Sequence, residues 1–122
     1  MRWLDRRIAA PGPYLAPCLS EKQYLKAMAH CNVRHPAPWI NEGSNATTHV
    51  LTRDGEVTCV VCIQKTKRNP TEIAGLLIHE AVHVWQQYLI RIGERNPGDE
   101  QMAYGIQSIA QELLHEYARK KS

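Results

Sequence analysis

The stretch from Asn69 to Gly93 constrains this chain most. It opens Asn69-Pro70-Thr71-Glu72, a helix start in which Asn69 caps, Pro70 takes the first helical position and Glu72 closes a capping box. It stops at Gly93, a residue suited to the left-handed turn that ends helices. Between them Ile73, Leu77, Val84, Trp85, Tyr88 and Ile92, with other apolar residues, surround the helix almost completely. A helix of this kind belongs in the centre of a domain, so the rest of the chain has to pack around it.

This apolar helix also carries His79-Glu80-Ala81-Val82-His83. Residues four apart share a helix face at about 6 Å, so both imidazoles can turn a nitrogen toward one metal ion. Glu80 is rotated away from the ligand position and reaches a metal-bound water instead. It would take that water's proton, let the hydroxide attack a polarised carbonyl, and hand the proton to the leaving amine. Ionisable groups on so apolar a helix call for compensation, and Zn²⁺ provides it. The plainer reading is a packed helix whose histidines bond to backbone or side chains.

The flanking segments supply a small α+β domain. The 122 residues suffice for one domain with its own core. Residues 1–19, with Pro11, Gly12, Pro13 and Pro17, read as irregular. Ser20 and Gln23 mark the start of a short helix running to about His30, and Trp39–Thr48 reads as a polar loop. Residues 47–52 and 56–63 form a hairpin around Asp54-Gly55, with His49 opposite Val60 and Val50 opposite Cys59. Residues 65–69 are a polar connection. A last helix runs from about Asp99 to Arg119, with Met102, Ile106, Ile109, Leu113 and Tyr117 on one side. Glu100, Tyr104, Gln107 and Gln111 make a separate polar stripe.

The order of hairpin, HEAVH helix, loop and a helix opening with Glu100 resembles the minimal core of zincin metallopeptidases, in particular the gluzincin group. The stretch GDEQMAYGIQ is similar to small zincin-like proteins of phages and prophages. The resemblance covers roughly residues 47–118. It implies a minimal zincin-like fold: two long packed helices, a small antiparallel hairpin sheet and a short N-terminal helix. It also implies a zinc-dependent peptidase acting on a peptide or protein substrate. By position His79 and His83 become metal ligands, Glu80 the general base and Glu100 the third ligand. Asp99, His49 and His115 stand as substitutes for Glu100, because a strictly antiparallel return leaves residue 100 nearer residue 89 than His83. Glu100 also reads as a first-turn carboxylate favoured by the helix dipole. Tyr104, one turn on, can donate to a developing oxyanion or simply pack. Gln107 and Gln111 read equally as outer partners of the ligands or as a solvated face. In zincins a hairpin edge can pair with an extended substrate.

Other classes are less well supported. Cys59-Val-Val-Cys62, with Cys18 and Cys31, has the content of a zinc knuckle. However, β-branched Val60 and Val61 favour a strand that points positions 59 and 62 to opposite faces, so packed free thiols are expected. The net charge of +3 comes with basic termini but no nucleic-acid motif. No segment has signal-peptide character or the length to span a bilayer, which gives a cytoplasmic expectation, in the producing or infected bacterial cell. The rival from another class is a phage-encoded interaction module with a structural or vestigial metal site and no catalysis.

Overall fold

The computed structural model describes residues 13–64 and 69–121. The N-terminal basic residues and the connection at 65–68 lie outside them. The elements run β1 (Tyr14–Cys18), α1 (Glu21–His30), β2 (Ala46–Arg53), β3 (Glu56–Ile63), α2 (Pro70–Ile92) and α3 (Asp99–Lys121). The chain is α+β, with two long helices beside a small sheet.

The sheet is mixed, in the order β1-β3-β2. The hairpin pairs antiparallel in the expected register, His49 with Val60 and Val50 with Cys59. Asp54 and Gly55 both take positive φ, 52° and 80°, the geometry of a two-residue turn that matches strand twist. β1 corrects the expectation of a purely antiparallel hairpin sheet and an irregular segment through residue 19. It pairs parallel to β3, Leu15 with Cys59 and Cys18 with Cys62. Pro17 argues against a strand only in a sheet interior, and β1 is an edge, where the missing N–H is tolerated. β1 occupies one side of β3 and β2 the other, so among the described residues the edge strand packed against α2 is β2.

Alternation along β3 divides the core. Val57, Cys59, Val61 and Ile63 face α2 and α3, joining Leu77, Trp85 and Leu113. Val60 and Cys62 face α1, joining Tyr24, Ala27 and Met28. Ser20 caps α1 through Gln23 N at 3.2 Å, but the returning bond from Gln23 goes to Leu19 N rather than to the cap residue. The four cysteines are free thiols, and Cys59 and Cys62 point to opposite sides.

α2 starts with the full capping box at Asn69 and Glu72 and ends at Gly93 with φ 76°. It is less enclosed than its composition implies. Ile73, Leu77, Ala81, Val84, Trp85 and Tyr88 are buried, whereas Ile78 and Ile90 are 47% and 63% exposed. The sheet and α3 cover two sides of the helix and leave a third open. α3 approaches closely where Gly105 lies on the Trp85 ring, and a Cβ there would sit 2.6 Å from Cε3. Among the described residues no helix is long and apolar enough to cross a membrane.

Candidate functional site

The open side of α2 carries both histidines. His79 and His83 are exposed, with rings 4.7 Å apart and edge-on at 78°. Their Nε2 atoms are 3.1 Å apart. Two nitrogens on one tetrahedral zinc, each about 2.0–2.1 Å away, lie about 3.3 Å apart, so this spacing is already that of a ligand pair. The same distance serves an N–H···N bond between neutral rings, with the tautomers deciding which ring donates.

Glu80 behaves differently. Only 5% exposed, it is held where α2 meets β2. Thr48 Oγ1 donates to Glu80 Oε1 at 2.6 Å, and no other hydrogen bond reaches this carboxylate from the described residues. Of the three ionisable groups on this stretch, only Glu80 is buried and needs compensation for it. The histidines stay wet because, among the described residues, nothing packs on their side of α2.

These three side chains line one cavity of about 500 Å³ between α2, β2 and the loop before it. Thr48 and Val50 form its strand wall, Asn41 and Ser44 its rim, and Gln87 and Arg91 extend it along the helix. The loop is pinned by Thr47 Oγ1, which accepts from Asn41 N at 2.8 Å, and by the contact of His49 Nε2 with Trp39 O at 3.0 Å. A larger cavity of about 690 Å³, near the hairpin turn, touches His30, Cys31 and Arg53. Its carboxylates, Asp54 and Glu56, are exposed, and none of the residues of the His79–His83 stretch lines it.

The remaining predicted residues are not gathered here. Glu100 and Tyr104 are exposed on α3, Tyr104 at 52%, and neither lines the cavity. Asp99 sits beside Glu100 in the first turn of α3. His49 belongs to the other sheet face, with its ring 4.8 Å from that of Tyr24, and His115 is exposed near the end of α3. Gln107 and Gln111 are exposed as well. Among the described residues no three His, Cys, Asp or Glu side chains converge on one metal position. The close contact of Trp85 with Gly105 sets this spacing, placing the middle of α2 against the first half of α3 and leaving Glu100 near the end of α2.

Sequence reasoning missed Thr48, Asn41, Gln87 and Arg91. The hairpin register does place Ala46, Thr48 and Val50 on the face of Val61 and Cys59. Which helix residue stands opposite Thr48 depends on how α2 lies across the sheet, and no local pattern encodes that angle. Comparison of the chain with protein-family models, with curated proteins and with solved structures gives no match.

Proposed function

We propose that this protein is a zinc-dependent hydrolase of the metallopeptidase type, acting on a peptide or protein. The observation that carries this reading is the pair of Nε2 atoms 3.1 Å apart, beside a buried carboxylate that shares their cavity. One donor set is soft enough and open enough for zinc, and one acid–base group stands next to it. A zinc ion bound there supplies an acidified water and polarises a carbonyl oxygen.

The chain's own residues do the rest. Glu80 accepts a proton from the attacking water and returns it to the leaving amine. Thr48 fixes the orientation of that carboxylate by donating to Oε1. The free edge of β2, which ends in the cavity wall, offers backbone groups to an extended peptide. Glu100, which lies outside the cavity, would be the third ligand, with Tyr104 one turn after it.

Elemental analysis of the purified chain, followed by a cleavage assay on an unfolded protein such as casein, tests the proposal. One zinc per chain is expected, lost in His79→Ala. Glu80→Gln keeps the metal and loses turnover. Zinc bound tightly with no hydrolysis by the wild-type chain favours the interaction module instead. Turnover retained by Glu80→Gln overturns the assigned base.

A further inference from the structure

The cavity is longer than the chemistry at His79, Glu80 and His83 requires. It continues along α2 past Gln87 to Arg91. His79, His83, Gln87 and Arg91 are spaced four apart, and each step of four turns about 40° beyond a full circle, so the stripe winds gradually round the helix. All four nevertheless line one groove, beside Thr48 and Val50 of β2.

Arg91 is the cationic end of this groove. It forms no ion pair with any described residue. Its charge is felt at the buried thiol of Cys59, whose pKa burial raises to about 12 and Arg91 pulls back. Arg91 is exposed, and it lines the cavity together with Val50, the register partner of Cys59. A basic residue in the last turn also complements the helix dipole. Any position in that turn would serve the dipole; only 91 continues the line of His79, His83 and Gln87.

We infer that Arg91 is a specificity residue that binds a carboxylate of the substrate at a fixed distance from the bond that is cut. The inference rests on the hydrolase reading of the same site and adds the substrate class: peptides bearing an anion on the α2 C-terminal side of the metal position. Eight residues of helix put Arg91 about 12 Å from His83 along the axis. An extended peptide covers that span in about three to four residues. The carboxylate is either an acidic side chain at that position or the free C-terminus of a short product segment. Both present the planar acceptor that a guanidinium grips with two N–H groups.

The test uses the zinc-loaded full chain and a proteome-derived peptide mixture, one half with free and one half with amidated C-termini. Cut sites are read by mass spectrometry for the wild type, Arg91→Ala and Arg91→Glu, with zinc content and circular dichroism confirming the fold of each. Acidic residues or free C-termini should be enriched about five- to tenfold at one position three to four residues from the cut. The enrichment should fall to background in Arg91→Ala and invert to Lys and Arg in Arg91→Glu. Loss of the preference on amidation identifies the chain terminus as the anion; its persistence identifies the side chain. Cleavage with no preference for either an acidic residue or a free C-terminus at that distance, or with the same preference in Arg91→Glu, overturns the inference and leaves the hydrolase reading standing. No cleavage of any peptide by a zinc-loaded wild type overturns both.

Discussion

Thr48 on the edge strand donates to the buried carboxylate of Glu80 on the central helix at 2.6 Å. This bond joins the sheet to the helix at the point where the proposed chemistry occurs, and it decides which way the carboxylate faces.

Thr48→Val keeps the shape of the side chain and removes the donor. The carboxylate is left without its partner in a site that water reaches poorly, a loss of about 1–3 kcal/mol in stability. Turnover should fall about tenfold, the effect of losing one hydrogen bond to a charged group, with zinc affinity unchanged. Thr48→Ser restores the donor and should recover most of both. Steady-state kinetics beside zinc titration reads the split; a parallel loss of zinc would show that Thr48 supports the ligand pair instead.

Glu100→Ala distinguishes its two readings. As a ligand of the metal-loaded protein, its removal should weaken zinc binding at least as much as loss of an outer partner does, about 10–100-fold. As a first-turn carboxylate complementing the helix dipole, its removal should leave zinc untouched and cost only about 0.3–1 kcal/mol of stability. Competition with a chromophoric chelator measures the first, and denaturant unfolding the second.

Gly105→Ala should destabilise the protein although alanine is the better helix former by about 1 kcal/mol. The added Cβ would lie 2.6 Å from Cε3 and 2.7 Å from Cη2 of Trp85, and that ring is buried with no room to retreat. Overpacking of this kind costs about 1–3 kcal/mol, enough to reverse the propensity gain. Urea unfolding of the variant gives the sign directly. Trp85→Leu, which shortens the opposing side chain, should make Gly105→Ala less costly.

The thiols report the core. Burial holds Cys59 at a pKa of about 12 against an ordinary 9.0, and the hydrogen bond with the Cys18 thiol, together with burial, pushes Cys62 up strongly. Cys31 is partly exposed and raised by burial, with Arg53 opposing the shift. A thiol reagent at pH 8 should therefore modify one cysteine of the native chain and all four after unfolding. The folded state keeps its Cys59 proton where the unfolded chain gives it up. The resulting stability is fully present below pH 9 and is lost as pH rises toward 12, by up to about 4 kcal/mol for Cys59. Cys59→Ala should flatten that alkaline decline.

The ends of α2 and the register of the hairpin were legible because short-range chemistry sets them. Asn69, Pro70 and Glu72 satisfy the first N–H groups of the helix whatever surrounds it, and Asp54-Gly55 permits one turn and therefore one register. The spacing of His79 and His83 was legible for the same reason, since four residues fix a shared helix face. β1 was not, because Pro17 is a breaker unless its strand happens to lie at a sheet edge, and edge position is a property of the assembled sheet.

The sequence by itself determined which segments other than β1 become helix and strand, and that two imidazoles project together from the central helix. Those outcomes depend on backbone hydrogen bonds and side chains within a few residues of one another. Tertiary structure alone decided that Thr48 meets Glu80, that Arg91 lines the same groove, and that Glu100 stays outside it. Each depends on the angle at which α2 lies on the sheet and against α3, where the Trp85 ring on Gly105 sets the approach. That angle is the outcome of packing many side chains at once, and no single stretch of the chain specifies it.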